Sequence, residues 1–231
     1  MQSQKNTQIP LDLGHRTAFG RENFLVTESN SEAVAWVDKW PAWPTPVTIL
    51  YGPAASGKSH LLSVWCDKTN ASSISPHVVA DYSRTQLERK KITPVAVDRA
   101  DFLIGDIEGE RGLFHLYNAV KESGATMMMT SCVPPSELDF VLPDLASRLR
   151  AAQTVRINPP DDTLLSAVLV KLFADRQLKV STDVIRYLVP RMERSLDAAV
   201  KLVADADKLA LSEKKAITVP LVRQILMKNL G

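Results

Sequence analysis

The segment Gly52-Pro-Ala-Ala-Ser-Gly57-Lys58-Ser59 follows the apolar run Val47-Thr-Ile-Leu-Tyr51 and precedes the helix-like stretch His60-Leu-Leu-Ser-Val-Trp65. Strand, glycine-rich loop and helix in this order form a phosphate-binding loop. The glycines let backbone N–H groups turn inward around a phosphate, Lys58 adds a point charge, and the Ser59 hydroxyl can reach a magnesium ion. The helix that follows points its positive end at the same phosphates. Residues Pro53, Ala54, Ala55, Ser56, Gly57, Lys58, Ser59 and His60 are therefore expected to line a bound nucleotide.

Magnesium on a nucleotide needs further oxygen ligands, and a carboxylate at the end of a neighbouring strand supplies one. Asp98, closing Val95-Ala-Val, fits this place beside Ser59. An active ATPase usually carries a second carboxylate immediately afterwards to orient the attacking water, whereas here the next residue is Arg99. The sequence thus predicts good binding and poor turnover, with Asp101 or Glu108 as weaker substitutes for the base. Thr130 and Ser131 end the run Thr126-Met-Met-Met and stand where a third phosphate could be sensed, though both are also ordinary turn residues. Arg148 and Arg194 carry guanidinium forks suited to phosphate oxygens. On residue type alone, each is expected to be a solvated surface arginine.

These groups need a scaffold. Strand-like runs at Val47–Tyr51, His77–Asp81, Val95–Asp98, Ala125–Ser131 and Thr154–Ile157 alternate with helical or loop segments, the pattern of a parallel sheet covered on both faces. A helix over Ser31–Trp40 precedes the first strand and ends in the Pro41, Pro44, Pro46 cluster, with its tryptophans expected in the packing. After Pro159-Pro160 the pattern becomes helical only. Asp161-Asp162 can cap a first helix and Ser181-Thr182-Asp183 a second that stops near Pro190; Ser195 can cap a third, and Pro220 opens a last. The expected organisation is a loose N-terminal tail over 1–20, an α/β base over 21–158 and a small all-α lid over 159–231.

The composition gives 45% hydrophobic residues and a net charge of +2, with a pI near 8.5. That suffices for a proper core and does not form the global positive field of a dedicated nucleic-acid binder. Cys66 and Cys132 lie in apolar stretches without metal-ligand spacing, so buried thiols in a reducing compartment are expected. The N-terminus lacks an apolar signal region and no stretch reaches membrane-spanning length, which points to the cytoplasm.

Taken together, Phe24-Leu-Val-Thr-Glu-Ser-Asn30, the phosphate loop, Leu113-Phe-His-Leu-Tyr-Asn118, Thr130-Ser131 followed by Pro134-Pro135, Leu145-Ala-Ser-Arg148-Leu and Arg194-Ser-Leu-Asp-Ala-Ala-Val200 are collinear marks of one family. The chain resembles the AAA+ proteins related to the replication initiator DnaA, and among them the Hda-type regulatory inactivators of DnaA. The resemblance implies a P-loop AAA+ domain with a five-stranded parallel sheet and a helical lid. It also implies bound ADP (or ATP) with magnesium, an adenine pocket near Phe24 and Val26, a lid contact to nucleotide from Arg194, and an arginine finger at Arg148 that serves a neighbouring DnaA, with Arg150 as a possible sharer of that role. Arg99 departs from the acidic pattern of active relatives, as do Cys132 and Val133 from the Asp-Arg pair frequent in DnaA. The tail residues Gln8, Leu11 and Leu13 are similar to a peptide that binds the sliding clamp (beta subunit) of the replicative polymerase, a short extended segment able to seat two leucines in a groove. With the last residue at Gly231, the initiator's DNA-binding domain is not expected here. The implied function is a clamp-bound adaptor that stimulates hydrolysis of DnaA-bound ATP, with homodimerisation possible. A helicase- or clamp-loader adaptor and an autonomous P-loop ATPase remain the alternatives.

Overall fold

The computed structural model describes residues 25–81, 93–213 and 215–229. Phe24, the clamp-type peptide with Gln8, Leu11 and Leu13, and the rest of the 1–20 tail lie outside the described residues. The five strands are β1 (Val47–Tyr51), β2 (Ser72–Ile74), β3 (Val95–Val97), β4 (Met127–Ser131) and β5 (Gln153–Arg156), all parallel, in the order β2-β3-β4-β1-β5.

Strand alternation sorts the core into two layers. Val47 and Ile49, Val95 and Val97, and Met127 and Met129 face Leu113, Leu116 and Leu149 on helices α4 (Ile107–Ser123) and α5 (Pro143–Ala151). Leu50, Ala96 and Met128 face α1 (Ser31–Asp38) and α2 (Lys58–Thr69), where Val34, Leu61 and the fully buried Trp65 complete the layer. Each fully buried leucine contributes roughly 2 kcal/mol from area removed from water. Trp36, Trp43 and Trp65 stack in series at 6.4 and 5.5 Å, as packing residues.

One expected strand is corrected. His77–Asp81 is not a strand: Pro76–Ala80 forms the short helix α3, begun by Pro76 at its first position, where proline's fixed φ suits a helix. The second strand lies just before it, at Ser72–Ile74. It is a polar edge strand, and so lacked the apolar run by which strands announce themselves. The α3 backbone presses on α4 at Gly112, where an added Cβ would sit 1.9 Å from the Val79 carbonyl oxygen.

The lid consists of α6 (Asp162–Asp175), α7 (Thr182–Leu188), α8 (Leu196–Glu213) and α9 (Val219–Asn229) around its own core of Leu165, Phe173, Leu188, Val203 and Val222. Two of the caps read from sequence are present: Asp161 accepts from the Leu164 amide at 2.7 Å, and the Ser195 hydroxyl accepts from the Ala198 amide at 3.2 Å; Ser181 precedes α7 but its side chain makes no cap hydrogen bond. No helix among the described residues is long and apolar enough to cross a membrane.

Candidate nucleotide-binding site

The strand order gathers the chemistry at one end of the sheet. β1 runs between β4 and β5, so the loop after β1 opens beside the ends of β3 and β4, where Asp98 and Thr130 stand. The loop itself needs unusual backbone: Gly57 has φ 101 and caps α2, while Ala55 holds φ 53. Gly52 approaches β5's end so closely that a Cβ would lie 2.1 Å from the Ile157 carbonyl oxygen.

Lys58 is buried, and its ammonium donates to the carbonyls of Gly52 (2.7 Å) and Pro53 (2.6 Å). Burial pulls its pKa below the ordinary lysine value, against the opposing pull of Cys132, Asp101 and Asp98. Ser59 Oγ donates to Asp98 Oδ1 at 3.0 Å, and Thr130 Oγ1 donates to the same oxygen at 2.5 Å. Thr130 also accepts the Arg99 amide at 2.7 Å, so its hydroxyl is occupied in both directions. Ser131 Oγ is turned to the Val133 carbonyl at 2.6 Å. Hydroxyl and carboxylate oxygens side by side are the donor set of a hard cation, and Ser59 with Asp98 fits magnesium held against phosphates.

Beside them lies a cleft of about 550 Å³ lined by Lys58, Ser59, Arg99, Asp101, Thr130 and Cys132 among others. Through Gly57, His60 and Leu196 it adjoins a second cavity of about 230 Å³ walled by Leu25, Ile157, Leu164, Val168 and Val200. A polar, cation-bearing half beside an apolar half could take a ligand that is charged at one end and apolar at the other, as a nucleotide is.

The structure distributes the other expected residues unevenly. Leu25, rather than Val26, lines the apolar cavity; Val26 packs into the tryptophan layer. Arg194 is not among the cavity-lining residues. Its guanidinium pairs with Asp162 at 2.7 Å and reaches the Pro160 carbonyl at 3.5 Å, which pins it to the start of the lid. Asp101 lines the cleft, with Oδ2 accepting the Cys132 amide at 3.1 Å. Glu108 instead pairs with Arg111 on exposed surface. Cys132 is exposed and Cys66 half-buried, so the expectation of two buried thiols is corrected. Loss of solvent around each sulfur and a neighbouring carboxylate, Asp101 or Asp67, push both thiols up, away from nucleophile chemistry.

Arg148 lies outside both cavities. Its guanidinium sits 4.7 Å from the Phe114 ring and 5.6 Å from the Tyr117 ring, and donates to Asn118 Oδ1 at 2.7 Å. The aromatic faces hold a cation without neutralising it. Arg150, by contrast, stacks on Phe140. Helix α5 is set by Glu110, fully buried, whose carboxylate accepts the amides of Gly105, Val141 and Leu142 at 2.9, 2.9 and 2.6 Å.

The resemblance pointed to this apolar half through the segment ending at Val26, but the walls at Ile157, Leu164, Val168 and Val200 went unread; the available signal was the i, i+4 spacing of Leu164 and Val168 on a helix with apolar residues to spare.

The family model described as "Hda, lid domain" matches residues 162–226. Among solved structures, domain III of the Thermotoga maritima replication initiation protein DnaA superposes with a TM-score of 0.77 at 21% identity, covering 90% of this chain and 95% of that one. AMPPCP-bound DnaA from Aquifex aeolicus gives 0.67 at 21% identity, over 90% of this chain and 68% of that one. A Thermotoga maritima RuvB variant gives 0.66 at 13% identity, over 87% of this chain and 68% of that one. At these identities the likeness is one of fold.

Proposed function

From a chain that has the AAA+ fold of DnaA domain III and carries an Hda-type lid, we propose an adaptor that binds ADP with magnesium and stimulates hydrolysis of ATP held by DnaA, so that replication does not re-initiate. The adenine lies in the apolar cavity at Leu25 and Leu164, and the phosphates lie over Gly57 and Lys58. Ser59 and Asp98 hold the magnesium, which supplies charge neutralisation of the phosphates when bound. The nucleotide is structural here: it spans base and lid and fixes the angle between them.

The observation that carries the reading is Arg148. It lines neither cavity of its own chain, and is held by Phe114, Tyr117 and Asn118 as a charged fork on the flank of α4 and α5. A guanidinium in such a place can serve a phosphate on another molecule, where stabilising charge on a transferring phosphoryl group is worth several orders of magnitude in rate. Gln8, Leu11 and Leu13 dock the adaptor on the DNA-loaded sliding clamp, and a second copy of the chain is a further partner.

The test is single-turnover hydrolysis of ATP pre-bound to DnaA, with this protein and ADP added, with and without clamp loaded on DNA. Clamp-dependent acceleration is expected. Absence of acceleration in both arms removes the reading in favour of a loader-type adaptor, or of an autonomous ATPase if the protein turns over ATP alone.

A further inference from the structure

Arg99 directly follows Asp98 and takes φ 56, a backbone region sparsely used by residues with long side chains. Its amide bond to Thr130 Oγ1 keeps it there. The guanidinium lies 4.0 Å from the Phe102 ring centroid, and Phe102, although 62% exposed, is held against it. Arg99 and Phe102 both line the phosphate-side cleft. That cleft sets two cations, Lys58 and Arg99, beside two carboxylates, Asp101 and Asp197.

We infer that Arg99 is a binding residue for the terminal phosphate of a nucleoside triphosphate, and so sets how strongly the cleft distinguishes three phosphates from two. The inference rests on the nucleotide reading of the cleft. The first two phosphates find the loop amides and Lys58. A third extends from the loop toward the ends of β3 and β4, where the Thr130 hydroxyl is already occupied on both sides and Ser131 is turned away. The guanidinium at that wall offers five N–H donors in a fixed fork that matches phosphate oxygens. It has no acceptor with which to take a proton from water. Arg99 therefore holds a third phosphate without activating its attacker, and the stacked Phe102 keeps the fork at the mouth of the cleft.

The experiment is calorimetric titration of the full chain, with magnesium, by ADP and by the non-hydrolysable AMPPCP, for the wild type, Arg99→Ala, Arg99→Lys and Lys58→Ala. Arg99→Ala is expected to weaken AMPPCP about tenfold, one charge-assisted contact, while leaving ADP within about twofold. Arg99→Lys should recover part of the loss, since charge returns without the fork. Equal losses for the two nucleotides, or no loss for AMPPCP, overturn the inference and leave the nucleotide site standing. A wild type that binds neither nucleotide, or a Lys58→Ala variant that binds both as the wild type does, overturns the underlying reading and the inference with it.

Discussion

The amide of Leu196 donates to the carbonyl of Ala55 at 3.0 Å, which ties the first residue of α8 to the crown of the phosphate loop. The Leu196 side chain reinforces the tie, with its Cδ1 3.5 Å from where a Cβ on Gly57 would lie. Lid and loop meet here through one residue that also walls both cavities. Leu196→Ala should keep the backbone bond and lose the wall. We expect a stability loss of about 1–2 kcal/mol for this half-buried leucine, and a weaker affinity for ADP, read by thermal melting and calorimetry on the same sample.

Asp161 ties the lid to the base from the other side. It caps α6 and accepts the Ser29 amide at 3.1 Å. Burial raises its pKa, but the bonds from Leu164, Thr27 and Ser29 outweigh that, and the net position is below the ordinary carboxylate value. A depressed folded value means that the stabilisation is whole above the unfolded value of about 3.9 and is lost as pH falls through the folded one. Asp161→Ala should lower stability by about 1 kcal/mol near neutrality and flatten the acid limb of the stability profile. An unchanged acid limb in denaturant titrations would contradict this.

Lys58 titrates in the opposite range. Burial depresses its pKa, so the ammonium that phosphates require is lost at a lower pH than that of an ordinary lysine, about 10.4. Nucleotide affinity should fall as pH rises through that depressed value, and bound phosphate should push the value back up. Lys58→Ala should bind at least about tenfold more weakly and lose this alkaline limb, as measured by titrations across the pH series.

Glu110 is fully buried, and its carboxyl oxygens accept from three backbone amides. Glu110→Ala removes the partner of those donors and leaves a gap in the packing, a loss of roughly 1–3 kcal/mol. Since two of the three belong to the turn entering α5, local protection in hydrogen exchange should fall first at residues 141–151.

Arg148→Ala should retain binding of ADP and clamp while losing stimulation of DnaA-bound ATP hydrolysis. Near-normal stimulation by a folded Arg148→Ala protein would place the finger elsewhere, with Arg150 the first residue to examine.

The phosphate loop, Asp98 and the lid caps were legible because each is a local pattern: residues a few positions apart, in an order that one element imposes. The misread strand shows the limit of that logic. His77-Val-Val-Ala is apolar enough for a strand, yet Pro76 and the crowding of Val79 on Gly112 make it a helix. The real strand, Ser72-Ser73-Ile74, is polar because it edges the sheet. The partner of Arg194 was equally hidden: Asp162 stands at the far end of two intervening helices and is brought in by a turn whose direction only the packed lid determines. Leu25 and Val26 are chain neighbours of similar type, yet one lines the cavity and the other packs into the tryptophan layer, and the residue types give no means of choosing.

Because Ser59 and Thr130 both direct their hydroxyl hydrogens at one oxygen of Asp98, the proton positions in this corner are fixed before any ligand arrives. Ser59 turns only lone pairs toward the cleft, so it presents to solvent a face that attracts metal and repels phosphate. On the proposed reading, cation and anion would thereby take separate berths, and the orientation of two hydroxyls would set the polarity of the nucleotide's entry.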